Sequence, residues 1–251
     1  MTDRQTKILE MVNRKRKVEV TRLSEVMGVS QVTIRKDLDV LESMNLLTRE
    51  HGYAVIRNMS DIGNRLAVCY DIKYKLANAA AELVDDGETV MIESGSSCAL
   101  LAECLAKTKK DITIITNSAF IARFIRLVGG GVSKIVLLGG EYQKEAEVMV
   151  GPLVKNCVKE FYVDKLFMGT DGFIPGVGFT CGDMMRAEAM KSMAESARQK
   201  IILTDSSKFE EHGVVLQSRL EDVDMIYTDA NIPANIKALL ERSNIKVEIA
   251  D

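Results

Sequence analysis

Seven short apolar runs, at residues 89–92, 112–116, 134–138, 165–168, 201–204, 225–228 and 246–249, constrain the fold of this chain more than any other feature. Each is followed within two residues by Gly, Ser, Asn or Asp, and mostly then by a segment with helical spacing. Alternating strands and helices imply a largely parallel sheet covered by helices on both faces, a three-layer α/β/α domain. Ligands of such sheets sit beyond the carboxyl ends of the strands, so the residues just after each run are the first candidates for a site.

Those residues form a coherent set. Ser94-Gly-Ser-Ser97 follows the first run and leads into a helix around Ala99 to Leu105, which places hydroxyls and backbone N–H groups at a positive helix end suited to a phosphate. Asn117-Ser118 follows the second run, Gly139-Gly140 the third, Gly169-Thr-Asp-Gly172 the fourth and Asp205-Ser-Ser-Lys208 the fifth. Taken singly, each reads as a turn former or a helix cap before a ligand contact, because Gly, Ser, Asn and Asp dominate turns anyway. Together they would line one pocket.

The first 58 residues read differently. A short helix ends at Gly28, the residue type that takes a left-handed backbone without cost, and Ser30 can cap a second helix starting at Gln31. That is a helix-turn-helix signature. Ile34, Leu38 and Leu41 form one apolar stripe at i, i+4 and i+7, while Gln31, Thr33, Arg35 and Lys36 crowd the first two turns. Gln and Arg pair with base edges, and Thr and Lys hold phosphates, so these types fit a helix lying in a DNA major groove. Leu46 to Glu50 and Tyr53 to Ile56 read as two short strands around His51-Gly52, the hairpin of a winged helix. Arg49, His51 and Arg57 would then lie near the DNA backbone, with a plain turn role for His51 left open. Ile8, Leu9 and Val12 give the packing face of a first helix, and the basic run Arg14-Lys-Arg-Lys17 is either a solvated face or a phosphate contact.

Charge separates the same two regions. Residues 1–58 hold 11 Lys+Arg against 8 Asp+Glu, a net of +3, which leaves 22 against 28, a net of −6, for the remainder. A mildly basic head suits a polyanion, whereas the acidic body would be repelled by DNA. No stretch approaches the ~20 apolar residues of a membrane span and the amino terminus lacks a signal-peptide core, so the expectation is a cytoplasmic protein with no membrane partner. The five cysteines, at 69, 98, 104, 157 and 181, form no C-x-x-C pair, and the only histidines are His51 and His212. Neither a metal site nor a disulfide framework is expected, and no cofactor.

These residues together resemble the DeoR family of bacterial transcription regulators over essentially the whole chain. The head matches in Thr33-Ile-Arg-Lys-Asp-Leu38, Leu41-Glu42 and Leu47-Thr-Arg49 before His51-Gly52. The body matches in Lys73, Leu76-Ala77, Ser94-Gly-Ser-Ser97, Thr116-Asn117, Gly139-Gly140, Gly151, Gly169-Thr-Asp-Gly172, Gly178-Phe-Thr180, Glu188 with Lys191, and Asp205-Ser-Ser-Lys208. The resemblance implies a winged helix-turn-helix over 1–58, a connector over 59–72 and an effector-sensing domain over 73–251, similar to ribose-5-phosphate isomerase and related sugar-phosphate folds. It further implies a repressor of a carbohydrate-use operon, working as a homodimer or homotetramer on operator DNA and released when a phosphorylated sugar binds. The implied effector contacts are Ser94, Gly95, Ser96, Ser97, Asn117, Gly139, Gly140, Asp171, Gly172, Glu188, Lys191 and Lys208. In that scheme the amides and hydroxyls of Ser94 to Ser97 bind the phosphate, Lys208 or Lys191 supplies positive charge, and Asn117, Asp171 and Glu188 bind sugar hydroxyls.

Several points stay open. Glu188 and Lys191 would equally form an i,i+3 surface pair, and Arg186 would be either a second anion contact or exposed. Tyr53 and Asn45 replace residues that are often glycine in the family, and Cys181-Gly-Asp-Met-Met-Arg186 replaces small polar residues beside the pocket. The rival reading is an active sugar-phosphate isomerase or hydrolase using Asp171, Glu188 or Asp205 as base.

Overall fold

The computed structural model describes residues 2–44, 46–56 and 62–250, and the chain divides into two compact units, Met1–Tyr70 and Asp71–Asp251. Asn45, Arg57 and the start of the expected connector lie outside the described residues.

The first unit runs α1 (Asp3–Lys15), β1 (Lys17–Glu19), α2 (Val20–Met27), α3 (Gln31–Ser43), β2 (Thr48–Glu50), β3 (Tyr53–Val55) and α4 (Ile62–Ala67). Gly28 ends α2 with a left-handed φ of 65°, and Ser30 Oγ then caps α3 by accepting from the Thr33 amide at 3.2 Å. The expected stripe of Ile34, Leu38 and Leu41 is fully buried, together with Ile8, Leu9 and Val12 of α1 and Leu23 of α2. Helical spacing marks Asp37 only as polar, yet it is buried on this same side. Its carboxylate accepts from Arg4 Nε at 2.6 Å and Gln5 Nε2 at 3.3 Å, which fastens α3 to α1.

The wing forms as expected. His51 and Gly52, with φ of 46° and 87°, make a two-residue turn that pairs Glu50 with Tyr53. Strand β1 was not expected, because three residues are too few to show a period. It pairs antiparallel with β3, Lys17 opposite Val55, and Lys17 Nζ lies 4.5 Å from the Tyr53 ring centroid. The basic run therefore ends inside a sheet of order β1-β3-β2. The polar connector expected over 59–72 is helical from Ile62, where α4 packs on α1.

The second unit continues with α5 (Tyr70–Ala81), β4 (Thr89–Ile92), α6 (Ser96–Thr108), β5 (Ile112–Thr116), α7 (Ala119–Val128) and β6 (Val132–Leu137). Then come β7 (Glu141–Gln143), β8 (Val148–Val150), α8 (Pro152–Val158), β9 (Val163–Met168), β10 (Gly172–Ile174), β11 (Gly178–Cys181) and α9 (Met184–Glu195). It closes with β12 (Ala197–Leu203), β13 (Val215–Arg219), β14 (Met225–Thr228), α10 (Ala234–Arg242) and β15 (Lys246–Ile249). All seven apolar runs fall in one sheet, order β15-β14-β12-β9-β4-β5-β6, and every neighbouring pair is parallel.

The chain lays β4, β5 and β6 outward in one direction, returns to put β9 beside β4, and continues outward through β12, β14 and β15. Right-handed crossovers then send the helices of the two halves to opposite faces. On one face Val154 and Val158 of α8, Ala189 and Met193 of α9, and Ile236 and Leu240 of α10 share a core with Met91, Leu166 and Met168. Helices α6 and α7, which pack on each other, serve the other half, and α6 is buried from Ser97 to Ala106. Two antiparallel pieces were not expected, the β7-β8 hairpin and the sheet β10-β11-β13. Both arise in insertions that follow carboxyl ends of the main strands.

Truncating the stripe should unfold the head first. Leu38→Ala is expected to cost the first unit about 2–5 kcal/mol, the usual range for a fully buried leucine, read as a lowered urea midpoint by circular dichroism.

Candidate functional site

The reversal of strand order falls between β4 and β9, and such a reversal leaves a crevice beyond the carboxyl ends of the two strands. The residue there is one that sequence reasoning passed over. Glu93, immediately after β4, is 4% exposed, and its Oε1 accepts from Ser94 Oγ at 2.6 Å. Its Oε2 accepts from the Gly95 amide at 2.9 Å and from the Gly169 amide, after β9, at 3.3 Å. One carboxylate thus ties the two strand ends together. The backbones also touch, since a Cβ on Gly95 would lie 3.1 Å from Gly169 Cα and 3.3 Å from Cys98 Sγ. Gln217 of β13 donates Nε2 to the Gly169 carbonyl oxygen at 2.8 Å.

This changes the expected phosphate cradle. The Ser94 hydroxyl and the Gly95 amide are occupied by Glu93, and the hydroxyl-bearing residues Ser94 and Ser97 are buried. No side chain caps α6, so its first-turn amides from Ser96 and Ser97 are the donors in the loop without a side-chain acceptor.

Asn117, after β5, is 1% exposed. Its Nδ2 donates to the Met149 carbonyl at 3.1 Å and its Oδ1 has no hydrogen-bond partner among the described residues. Gly139 is exposed with open space around it, whereas Gly140 and Gly172 serve packing: a Cβ would meet Val150 O at 2.6 Å in one case and Glu211 O at 2.4 Å in the other. Asp171 accepts from the Gly182 amide at 2.9 Å and faces Arg186 Nη2 at 3.5 Å. Arg186 is therefore neither free nor fully exposed. Asp183 caps α9, accepting from the Arg186 amide at 2.8 Å and from Gln143 Nε2 at 3.2 Å, so that β7 is joined to the start of α9. Three expected contacts have ion-pair partners on the surface. Glu188 and Lys191 form an exposed i,i+3 pair at 3.0 Å, and Lys208 pairs with Glu211 at 2.8 Å.

Burial pushes the Cys181 thiol up to about 11, and burial followed by the Glu93 charge raises Cys98 well above the ordinary range.

In the head, α3 leaves Gln31, Arg35 and Lys36 exposed, with Thr33 half-buried beside Ser30. Arg49 is turned back onto α3. It pairs with Asp39, lies 3.6 Å from Glu42 through Nε, and its amide donates to Glu42 Oε1 at 2.8 Å. Its visible role is to brace the wing against α3, while His51 stands exposed at the wing tip.

A winged helix joined in one chain to a doubly wound sheet whose strand order reverses between β4 and β9 is an architecture suited to a DNA-binding regulator with a sensor body. The DeoR-like helix-turn-helix domain model matches residues 4–59 and the DeoR C terminal sensor domain model matches residues 68–230, and the chain belongs to the DeoR family. It is similar to the uncharacterized HTH-type transcriptional regulator YulB of Bacillus subtilis, 30% identical over 98% of this chain and 96% of that one. It is also similar to the glycerol-3-phosphate regulon repressor of Escherichia coli, 27% identical over 99% and 98%. Among solved structures, ribose 5-phosphate isomerase A of Methanocaldococcus jannaschii is 21% identical, with a TM-score of 0.41, over 56% of this chain and 54% of that one. No helix among the described residues is long and apolar enough to cross a membrane.

Acid should weaken the body through its capped carboxylates. Burial alone would raise Asp229, but the Ser206 amide at 2.6 Å, Ser206 Oγ at 2.9 Å and the Asn231 donors outweigh it and hold it below its ordinary 3.8. Asp183 is depressed in the same way, burial being outweighed by the Arg186 amide and Gln143. A carboxyl depressed in the folded state stabilises above its unfolded value, and that contribution is lost as pH falls through the folded value. The urea midpoint of the body is expected to hold steady down to about pH 5 and to fall below about pH 4, and Asp229→Asn should remove part of that fall.

Proposed function

We propose that this protein is a repressor of a carbohydrate-use operon, released from operator DNA when a phosphorylated sugar or sugar derivative occupies the switch-point crevice. The observation that supports the reading is the reversal of strand order between β4 and β9: the first turn of α6, which no side chain caps, starts there, and Glu93, Asn117 and Asp171 follow the carboxyl ends of β4, β5 and β9. The amides suit a phosphate and the acceptors suit hydroxyls. The name of the glycerol-3-phosphate regulon repressor, a relative across nearly the full chain, supports a phosphorylated effector.

Residues 1–58 are the DNA-binding part, with Gln31, Arg35 and Lys36 in the major groove, Thr33 and His51 at phosphates, and Arg49 holding the wing. Residues 73–251 are the sensor, with Ser96, Ser97 and Asn117 as first contacts, and with Ser94, Gly95 and Asp171 shaping the site. Assembly as a dimer or tetramer places two heads on inverted half-sites about one DNA turn, or a multiple, apart. Effector binding re-orients the heads through 59–72. A regulator of operon DNA does this in the cytoplasm.

Sensing rather than turnover is supported by the state of the candidate bases. Both oxygens of Glu93 accept hydrogen bonds, Asp171 accepts from Gly182, Asp205 accepts from Ser207 and Glu188 is paired with Lys191 in solvent. None is poised to take a substrate proton. Product formation above trace level from a panel of pentose and hexose phosphates would overturn this part.

Two measurements test the whole. Full-length protein should show a thermal shift with at least one phosphorylated sugar, and that compound should weaken binding to a duplex selected by the protein from a random pool. On that duplex at fixed salt, Arg35→Ala should cost about 1–3 kcal/mol and relax one base position, whereas Lys36→Ala should reduce the salt slope by about 1. Unchanged affinity in Arg35→Ala removes that residue from base reading.

A further inference from the structure

Beside the carboxyl ends of three neighbouring strands, β9, β4 and β5, stand buried side chains that carry acceptor atoms. Glu93 after β4 presents a carboxylate, and Asn117 after β5 presents Oδ1. At the end of β9 the acceptor comes from another element. Gln217, on β13, is 1% exposed, and with its Nε2 committed to the Gly169 carbonyl its Oε1 lies beside the same strand end. That Oε1 and Asn117 Oδ1 have no hydrogen-bond partner among the described residues.

Neither amide is free to turn over. Exchanging oxygen and nitrogen in Gln217 would set its oxygen against the Gly169 carbonyl, and the same exchange in Asn117 would face the Met149 carbonyl. Each side chain is therefore held by its donor end with its acceptor end unmet. Buried carbonyl oxygens left without a donor are costly and uncommon, and a group that donates to them removes that cost. Glu93 also accepts from the Gly169 amide while Gln217 donates to the Gly169 carbonyl, so these two side chains share one strand end, and Asn117 follows the next strand over from Glu93.

We infer that Gln217 is an effector contact, and that the row Gln217, Glu93 and Asn117 selects a polyhydroxylated compound that offers hydroxyl donors along its length. The inference rests on the sensor reading of the crevice and narrows it: the phosphate end is held by the first turn of α6, and the hydroxyl-bearing end is read by acceptors. A compound lacking the hydroxyl opposite Gln217 leaves that carbonyl buried and unmet, which is the condition under which a polar site discriminates strongly against the analogue without the group.

The test uses the full-length protein and calorimetric titration with pentose and hexose phosphates, each set against its singly deoxygenated counterparts. For the tightest binder, the wild type should lose about tenfold or more for at least one deoxy analogue. Gln217→Met, similar in length and without polar atoms, should bind the parent compound about tenfold more weakly and no longer distinguish it from that analogue. A merely structural role would lower affinity for both and keep their ratio. Wild-type discrimination retained in folded Gln217→Met overturns the inference, and so does a wild type indifferent to every deoxy analogue, a result that stands even where the variant does not fold. Absence of binding by every sugar phosphate strikes instead at the sensor reading beneath it.

Discussion

The second unit depends on one buried carboxylate. Strands β4 and β9 pair in the ladder like the other neighbours, but they belong to the two halves of the chain that part and return here, and their ends beyond the ladder need a further tie. Glu93 supplies the join, accepting from one amide of each strand end while Gly95 and Gly169 bring the two backbones into contact. A buried charge is tolerable only when donors surround it, and three do so here. The crevice, the start of α6 and the placement of Gln217 all follow from that arrangement.

Much of this architecture was legible in the chain itself. Seven apolar runs matched seven parallel strands because a strand buried on both faces needs no partner pattern to be recognised. The helix-turn-helix was legible for another reason: Gly28 and Ser30 act within a few residues of themselves, so a local reading captures their whole effect. What escaped notice depends on partners far along the chain. Strand β1 exists because β3 pairs with it, Asp37 matters because Arg4 and Gln5 reach it, and the sheet β10-β11-β13 is assembled from two insertions.

The site shows the same division. Position after a strand draws attention to Ser94 to Ser97, Asn117 and Asp171, yet cannot say which of their atoms remain available. Glu93 hides between an apolar run and the Ser/Gly loop, and Gln217 among the polar residues of a short strand, with nothing in either pattern to mark a site. Lys191 and Lys208, chosen for their charge, each have a glutamate three residues away, a spacing that local helical geometry satisfies before any ligand arrives. In the head, Arg49 followed the same course toward Asp39 and Glu42.

The near-complete burial of Ser94, Asn117 and Gln217 bears on time as well as on affinity. If the effector reaches these buried side chains, as proposed, it enters only while the surrounding strand ends and helix start have parted. Entry then waits on that parting, so at high ligand concentration the observed rate of association levels off at the frequency of opening instead of rising without limit. The same gate slows escape. A brief pulse of ligand would leave its imprint on the protein for longer than the pulse itself, giving the crevice a short memory.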